Sequence, residues 1–552
     1  MRLQDFVEPR LRDVLTELGV DQHHPVVFET PRQEGQGHLS TTVAMGLAKA
    51  LRQPPKAIAD TIVGRLGSLT HVASIEVAGP GFINVTFAPS AFTELLASLA
   101  NEGDGIGKST IGVGKTVNVE YVSANPTGPL HAGHGRNCAV GDTIANLFAW
   151  CGYSVTREYY FNNAGNQMNK LAESIQVRTL NALGDMIEFP EDGYHGDYIQ
   201  TIADDVAKEH GSSFRDLATD EQLSICRKAG ELWCFASIRT TLQRLRIQHD
   251  VYFNEDSLYS NGSVASTIEA LRNEGLVYDK DGAVWFELTK LGLEKDKVIV
   301  KSTGEPTYRL PDIAYHRDKL SRGYDIVVDI FGADHIATIP DVLAGVRALG
   351  FDTERVKVVI HQMVTFIDNN EVVKFSKRTG KSFTLDDLID EVGADVVRFF
   401  FVMRAVGTHL EFDLGLAKKE GDVNPVFYLQ YAHARICSVL KKAEEAGFTV
   451  SNSANLHLLT HERELELIAM LSRLRFTLER AAENVEPHTI ADFLRDLAGA
   501  YHNWYHDCRI IGNEQSPVSA ELTHARLLLA DVTRKALRNG LKMLGLSQPE
   551  RM

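Results

Sequence analysis

The chain has 552 residues, of which 44% are apolar and 24% charged, an ordinary globular composition long enough for three or four domains. Its net charge of −16 excludes strong non-specific DNA binding, but residues 426–552 carry equal numbers of basic and acidic side chains, which leaves a structured RNA partner open. No apolar run is long enough for a membrane span and no leader is evident, so we expect a cytoplasmic protein that binds neither membrane nor DNA.

The first domain, predicted over residues 1–105, is a small α+β unit that closes with the segment 75–87. Alternation in this segment places Ile83, Val85 and Phe87 on one face of a strand and Phe82, Asn84 and Thr86 on the other. An aromatic ring beside an amide can stack on a nucleobase and hydrogen-bond to it. The alternative is an ordinary pair of residues at an exposed edge.

A glycine-rich stretch, residues 103–116, follows this domain and contains both Gly-Lys-Ser and Gly-Lys-Thr. The glycine that a Walker A loop requires five positions earlier is absent in both cases, so no phosphate loop is predicted. We interpret this stretch as a flexible hinge.

From residue 116 to about residue 425 the pattern becomes α/β, which predicts a parallel sheet. Strands are expected over 116–122, 154–160, 324–331 and 356–360, with a long helix over 133–151 and a return of the α/β pattern near 298–301. A long, largely helical insertion is expected over about 181–290. Residues 426–552 show amphipathic helices and almost no strand signal, which indicates a helical bundle.

One motif joins the first strand of the α/β region to its long helix, and it has the composition of a phosphate site. Its residues are Ala124, Asn125, Pro126, Thr127, Gly128, Pro129, Leu130, His131, Ala132, Gly133 and His134. A helix N-terminus offers unpaired N–H groups to phosphate, and imidazoles three residues apart can donate to its oxygens. The alternatives are two surface histidines or half of a metal site, although no third ligand is evident nearby.

A second basic segment runs from Lys374 to Lys381 and also contains Ser376, Lys377 and Arg378. It is either a solvated loop or a mobile clamp on a polyphosphate, in which Lys377 neutralises a leaving pyrophosphate. Together with the histidine motif it favours cleavage of ATP between its α- and β-phosphates.

Two acids, Glu120 and Asp312, fall in or near the predicted sheet, where a carboxylate is costly unless a cation pairs with it. Each could pair with a lysine or arginine of the protein. Alternatively, both could await a cationic substrate, since the planar fork of a guanidinium suits two carboxylates. Sequence spacing does not decide between these alternatives.

Together these segments resemble the arginyl-tRNA synthetases, class I aminoacyl-tRNA synthetases of the bacterial type, over essentially the whole chain. Beyond the histidine motif, the resemblance rests on the segments 157–167, 191–198, 311–316, 424–435 and 549–552. It implies a multidomain α/β protein with a Rossmann-type catalytic core and an inserted domain. The small α+β N-terminal domain and the all-α C-terminal bundle, residues 426–552, complete the implied fold.

The resemblance also implies an ATP-dependent reaction that forms arginyl-adenylate, with Mg²⁺, and then transfers the arginyl group to the 3′ end of tRNA(Arg). In that comparison residues 131–134 are the "HIGH" element and residues 374–378 the "KMSKS" loop. Family members characteristically need bound tRNA before they activate arginine. The implied ligands are L-arginine, ATP and tRNA(Arg). Neither structural zinc nor any protein metal site is expected, because the six cysteines form no Cys-x-x-Cys pair, and a monomer is expected.

The resemblance assigns roles to individual positions. The implied catalytic residues are His131, His134 and Lys377. The implied ATP-binding residues are His131, Gly133, His134, Asp334, Lys374, Ser376 and Lys377. The implied arginine-binding residues are Glu120, Asn125, Tyr308 and Asp312, and the implied tRNA-binding residues are Phe82 and Asn84. Residues 535–538 are similar to the family's DALR element, which implies an anticodon-binding bundle.

Two other functions compete with arginine–tRNA ligation. A small-molecule nucleotidyltransferase shares the histidine motif, but it would not need the N-terminal domain or the helical bundle. A catalytically silent, tRNA-binding paralogue should have lost His134 or Lys377, and the sequence retains both.

Overall fold

The computed structural model describes residues 1–31, 35–163, 165–369, 371–373 and 383–552. The N-terminal domain is a four-stranded antiparallel sheet in the order β1-β2-β4-β3, covered by helices. Its strands are β1 (Phe28–Glu29), β2 (Leu39–Thr41), β3 (Val72–Ala78) and β4 (Phe82–Phe87). Its helices are α1 (Glu8–Glu17), α2 (Val43–Leu51), α3 (Pro55–Leu66) and α4 (Pro89–Asn101). Ile83, Val85 and Phe87, predicted to share one face of the strand, are all buried.

The middle of the chain forms the α/β region. Its strands are β5 (Thr116–Glu120), β6 (Ser154–Phe161), β7 (Val251–Asn254), β8 (Val277–Lys280), β9 (Ala283–Phe286), β10 (Lys297–Val300), β11 (Ile326–Gly332), β12 (Val356–His361), β13 (Val364–Asp368), β14 (Glu371–Val372) and β15 (Leu410–Asp413). Its helices are α5 (His134–Trp150), α6 (Gly165–Ala182), α7 (Asp197–His210), α8 (Thr219–Arg244), α9 (Asp256–Ser260), α10 (Ser263–Asn273), α11 (Arg309–Ser321), α12 (Ile339–Ala348), α13 (Leu385–Val392), α14 (Ala394–Val402) and α15 (Leu414–Ala417).

The central sheet is parallel and has the order β12-β11-β5-β6-β7. The predicted extent of the insertion, about 181–290, is therefore wrong, because β7 lies within it and is an edge strand of the central sheet. Helices α6 to α8 surround a small apolar core of their own before the chain returns to β7. A four-residue strand is too short for its periodicity to distinguish it from the surrounding helical pattern.

Two smaller sheets accompany the central one, with orders β10-β9-β8 and β14-β13-β15. The α/β return predicted near residues 298–301 corresponds to β10, which lies in the first of these antiparallel sheets and not in the central sheet. This small sheet shares an apolar core with α10, α11 and α12, and Val327 of β11 belongs to the same core. The predicted strands over 324–331 and 356–360 are confirmed as β11 and β12.

The C-terminal domain is the predicted helical bundle. It consists of α16 (Pro425–Glu445), α17 (Glu462–Ser472), α18 (Leu474–Asn484), α19 (His488–Asp507) and α20 (Ala520–Met543), and residues 425–552, all described, contain no β-strand. Its apolar residues belong to the same core as those of the central sheet, so the bundle packs directly on the α/β region.

The glycine-rich stretch at 103–116 is not the flexible hinge that its composition predicts. The Asn539 amide donates to the backbone oxygens of Asp104 and Ile106 at 3.0 and 3.1 Å. The hydroxyl of Ser109 donates to Glu479 at 2.6 Å. Because Ile106 is also fully buried in the core, the bundle holds this stretch in place.

Candidate functional site

A large cavity lies at the carboxyl ends of β5 and β11. The strand order reverses between these two parallel strands, because β6 and β7 lie on one side of β5, whereas β11 and β12 lie on the other. Ligands of open parallel sheets bind at such a reversal of strand order. The cavity has a volume of about 1700 Å³, more than a single drug-sized ligand requires. The predicted site residues that line it are Glu120, Asn125, His131, Gly133, His134, Tyr308, Asp312 and Asp334.

The turn that follows β5 is strained and is held from both sides. Val122 and Ser123 have φ values of 68° and 44°, in the left-handed region that β-branched residues such as valine rarely adopt. The amide oxygen of Asn137, in α5, accepts a hydrogen bond from the Val122 N–H at 2.6 Å, and its NH₂ donates to the Ile330 oxygen at 3.0 Å. Asn137 therefore joins the exits of β5 and β11, the two strands that frame the cavity.

The two motif histidines stack on each other at the start of α5, which begins at His134. Their ring centroids lie 3.6 Å apart with an interplanar angle of 21°. Burial lowers the pKa of His134 to about 3, with His131 acting in the same direction, and burial also lowers the pKa of His131. Nδ1 of His134 accepts the backbone N–H of His131 at 3.2 Å, so the proton of its neutral ring lies on Nε2. Both imidazoles are uncharged at neutral pH.

The predicted loop residues Lys374, Ser376 and Lys377 lie outside the described part of the chain. The residues that follow this segment pair with the histidine motif. The N–H of Ala132 donates to the oxygen of Phe383 at 3.1 Å, and the N–H of Leu385 donates to the oxygen of Leu130 at 2.8 Å. Phe383 also lines the cavity, so the residues that follow the basic segment are anchored at the site.

Two carboxylates at the opposite end of the cavity have no ion pair with a cationic side chain among the described residues. They are Asp312, in the first turn of α11, and Glu255, immediately after β7. Glu255 is buried and accepts hydrogen bonds from the hydroxyls of Tyr160 at 2.6 Å and Tyr259 at 3.3 Å. Burial raises the pKa of Asp312 to about 7 and also raises the pKa of Glu255. This end of the cavity therefore favours a cation.

Glu120, in contrast, already has a cation. Its Oε2 accepts a hydrogen bond from Nζ of Lys319 at 2.5 Å, and its Oε1 accepts one from the Ser123 hydroxyl at 3.0 Å. Of the two alternatives left open for Glu120, pairing with a lysine of the protein is the one found, and the side chain also lines the cavity. Lys319 is 199 positions away in α11, and only the packing of that helix under β5 brings the two together.

The remaining predicted ligands of arginine and ATP differ in how open they are. Tyr308 is 80% exposed at the mouth of the cavity, and the side chain of Asp334 is largely exposed. Asn125 already makes two hydrogen bonds with the protein, accepting from the Asn162 N–H at 3.0 Å and donating to the Gln167 side chain at 2.9 Å. Asn125 therefore braces the cavity wall as well as facing the cavity.

The helical insertion also reaches the site. The hydroxyl of Tyr198 donates to the oxygen of Thr127, in the histidine motif, at 2.7 Å. A Cβ added to Gly128 would lie 2.9 Å from that hydroxyl, so the close approach requires glycine. His195 and Gly196, in the polar loop before α7, line the cavity.

The two residues predicted to contact a nucleobase lie in the N-terminal domain, on β4. Phe82 is 37% exposed, but Asn84 is buried and accepts a hydrogen bond from the Ser40 hydroxyl at 2.7 Å. The predicted exposure of Asn84 is therefore wrong, because its partner on β2 covers it. Sequence alternation describes the faces of one strand and does not show what the neighbouring strand contributes.

The helical bundle has a smaller cleft, of about 510 Å³, between α16 and α19. The guanidinium carbon of Arg435 lies 4.4 and 5.6 Å from the ring centroids of Tyr505 and Tyr431. In the predicted element at 535–538, Lys535 and Arg538 pair with the protein's own acids, Asp531 and Asp104 respectively.

Sequence reasoning missed several residues of the cavity wall. Glu255, Tyr160, His316 and Asn137 all line the cavity. Recognition of β7 would have revealed Glu255, because a polar residue at the carboxyl end of a parallel strand points to a site. Among the described residues, no group of three or more His, Cys, Asp or Glu side chains could hold a metal ion, and no helix is long and apolar enough to cross a membrane.

Comparison with known families shows similarity along nearly the whole chain. The model described as "Arginyl tRNA synthetase N terminal domain" matches residues 5–87. The model "tRNA synthetases class I (R), catalytic domain" matches residues 95–398, and "DALR anticodon binding domain" matches residues 429–552.

Individual proteins give the same result. The chain is 48% identical to an arginine–tRNA ligase of Salinibacter ruber, with all of both chains covered. It is 46% identical to one of Desulfotalea psychrophila, over 95% of this chain and 94% of the relative. Its fold resembles the arginyl-tRNA synthetase of Thermus thermophilus, with a TM-score of 0.77 at 22% identity over the full length of both chains.

Proposed function

The chain belongs to the arginyl-tRNA synthetases, and on that premise we propose that its cavity binds arginine at the acidic end and ATP at the histidine end. The protein is an arginine–tRNA ligase, whose class I catalytic domain uses ATP, arginine and tRNA. One observation supports the proposed division most strongly. A single cavity joins Asp312 and Glu255, two carboxylates that pair with no cation among the described residues, to a pair of neutral imidazoles at a helix N-terminus.

At the acidic end, the guanidinium group of arginine lies between Asp312 and Glu255. A guanidinium has five N–H donors in a planar fork, so it can satisfy two carboxylates at once. Tyr308 packs over the substrate at the mouth of the cavity. Glu120 and Asn125 form the wall between the guanidinium site and the ATP site, where the α-amino and carboxylate groups of arginine lie.

At the histidine end, His131, Gly133 and His134 face the phosphates of ATP, together with the exposed Asp334 near the nucleoside. Nε2 of His134 carries the proton and donates to a phosphate oxygen, and the free N–H groups at the start of α5 add to this. Lys374, Ser376 and Lys377 close over the β- and γ-phosphates, a role supported by the anchoring of residues 383–385, just after their segment, beside His131.

The reaction proceeds in two displacements. A carboxylate oxygen of arginine bonds to the α-phosphorus of ATP, the bond from that phosphorus to the bridging α–β oxygen breaks, and pyrophosphate leaves. A ribose hydroxyl of the tRNA 3′-terminal adenosine then attacks the arginyl carbonyl carbon, its proton is lost, and AMP leaves. The protein contributes orientation and stabilisation of phosphate charge, with His131, His134 and Lys377 nearest to the transferred charge.

Mg²⁺ enters as part of the nucleotide substrate. Magnesium at phosphate-transfer sites retains several waters and is bound mainly by substrate phosphates with one or two carboxylates. The cavity fits that mode, because the described residues offer no dedicated cage and Asp334 places one exposed carboxylate at the histidine end.

Two regions outside the cavity bind tRNA. The exposed ring of Phe82 stacks on a nucleobase, and Asn84 supports that contact from within the N-terminal sheet. The anticodon loop binds the helical bundle, where Tyr431, Arg435 and Tyr505 provide stacking surfaces. We propose that the protein acts as a cytoplasmic monomer and that bound tRNA is required before arginine is activated.

Exchange of pyrophosphate into ATP tests this assignment. We expect exchange only when arginine and tRNA are both present, and none with the other nineteen amino acids. A small-molecule nucleotidyltransferase would exchange without tRNA, and a silent paralogue would not exchange at all. Equal exchange with a second amino acid would contradict the proposed role of the acidic end.

A further inference from the structure

Lys319 is a fully buried cation that the proposed reaction does not use. Its Nζ lies 2.5 Å from Oε2 of Glu120 and 2.7 Å from Oδ1 of Asp329, so it bridges α11 to the neighbouring strands β5 and β11. The ammonium group also lies 4.3 Å from the centroid of the Tyr315 ring. Two carboxylates and an aromatic ring therefore surround the Lys319 ammonium group.

A second cation completes this cluster. Nε2 of His316 lies 3.0 Å from Oδ2 of Asp329, and Nδ1 lies 2.8 Å from the backbone oxygen of Asp312. Both ring nitrogens face acceptors, so both carry protons and the imidazole is positively charged. Burial opposes this charge, but the hydrogen bond and Coulombic attraction to Asp329, with the hydrogen bond to the Asp312 backbone, together outweigh burial and raise the pKa of His316.

The cluster is consequently balanced, with two carboxylates, Glu120 and Asp329, and two cations, Lys319 and His316. Burying four charges without such pairing would cost several kcal/mol for each ion. Because the cluster is balanced, the negative charge at the acidic end of the cavity comes from the two acids outside the cluster, Asp312 and Glu255. A substrate cation therefore does not compete with Lys319 for its partners.

We propose that Lys319 is a positioning residue for arginine recognition, which fixes the carboxylate of Glu120 in the cavity wall. The Glu120 carboxylate is held at both oxygens, by Lys319 and by Ser123, and its side chain lines the cavity in which arginine is proposed to bind. Without Lys319, the carboxylate would lose one of these two anchors and turn towards the substrate's own cation. This inference rests on the proposed arginine site.

The residue that caps the C-terminal end of the same helix, Arg322, supplies a matched control. Its guanidinium donates to both oxygens of Glu158 at 2.6 and 2.9 Å, and Glu158 is buried in β6. Like Lys319, it ties α11 to the central sheet through a carboxylate. Unlike Glu120, Glu158 is not among the residues that line the cavity. Loss of either pair disturbs folding, but only loss of the Lys319 pair should disturb arginine binding.

The test compares the full-length variants Lys319→Met, Lys319→Arg and Arg322→Met by steady-state aminoacylation. In Lys319→Met we expect the KM for arginine to rise about 30-fold or more, the low end of the effect of breaking a buried charge pair, while the KM for ATP stays unchanged. Lys319→Arg should raise it less, because charge is retained but the fork cannot occupy the space of an ammonium. Arg322→Met should keep the wild-type KM for arginine.

The proposal is overturned if folded Lys319→Met has the wild-type KM for arginine, or if its KM for ATP rises as much as its KM for arginine. It is equally overturned if Arg322→Met raises the KM for arginine as much as Lys319→Met does. It is also overturned if neither Lys319 variant folds while Arg322→Met does, since Lys319 would then serve folding alone. Asp312→Asn, measured alongside, separates the two claims. A wild-type KM for arginine in Asp312→Asn would instead reject the arginine site itself.

Discussion

The two ends of the cavity prepare for oppositely charged ligands in different ways. Among the described residues, no cationic side chain pairs with Asp312 or Glu255 at the acidic end, although burial makes their charge costly. At the histidine end, the proposed phosphate site has two imidazoles that burial keeps neutral. The cations proposed to complete that site, Lys374 and Lys377, lie outside the described residues.

The difference reflects what each ligand demands. Arginine must be distinguished from other amino acids. A buried carboxylate discriminates strongly between side chains, because a neutral side chain would leave the carboxylate unpaired. ATP must be bound and then released as AMP and pyrophosphate. Neutral hydrogen-bond donors, with cations brought by a separate segment, bind phosphate without holding the products too tightly.

Among the substitutions that test this difference, removal of one carboxylate from the acidic end should have the largest effect on kinetics. We expect Asp312→Asn or Glu255→Gln to cost about 2–5 kcal/mol in kcat/KM for arginine, as for one partner of a buried charge pair, with the KM for ATP unchanged. Steady-state kinetics with each substrate varied in turn measures both. Unchanged kinetics for arginine in both variants would mean that the cation binds elsewhere.

Removal of a proposed phosphate contact should affect the histidine end of the cavity and leave arginine binding at the acidic end unchanged. Lys377→Ala is expected to slow adenylate formation on the order of 10²–10³-fold, the usual loss for one charge-stabilising donor, while arginine affinity stays unchanged. Single-turnover measurements of pyrophosphate release give the rate. Lys418→Ala, which removes only an exposed ion pair with Glu391, should leave the rate at the wild-type value. A wild-type rate in Lys377→Ala would exclude the clamp role.

The smallest effect should come from the N-terminal domain, far from either end of the cavity. Phe82→Ala should raise the KM for tRNA by the equivalent of about 1–3 kcal/mol, the value of stacking one base on an aromatic ring. Neither the KM for arginine nor that for ATP should change. Aminoacylation at varied tRNA concentration tests this, and an unaltered KM for tRNA would remove Phe82 from the interface.

The sequence predicted the histidine end better than the acidic end, for a physical reason. The histidine motif is local: strand, turn and helix start lie within residues 116–134, so their order alone places the imidazoles at a helix N-terminus. The acidic end is assembled from β5, β7 and α11, which are far apart in the chain. No spacing indicates that Lys319 neutralises Glu120 or that Glu255 joins Asp312.

The fold shows the same limit. Long periodic elements such as α5 and the strands β11 and β12 were predictable, as were the small first domain and the helical bundle. The short strand β7 was not, and the composition of residues 103–116 concealed the buried anchor Ile106. The left-handed φ of Val122 is likewise a tertiary effect, because valine does not favour that conformation and Asn137 holds it.

The central claim is that Asp312 is a carboxylate held for the guanidinium of arginine. Because burial raises its pKa to about 7, the side chain is about half protonated at pH 7 in the free protein, and pairing with a cation must drive off that proton. Calorimetric titration with arginine at pH 7, in the presence of tRNA and in two buffers of different ionisation enthalpy, measures the release. We predict about half a proton per arginine bound and none in Asp312→Asn; equal heats in both buffers with the wild-type protein would contradict the claim.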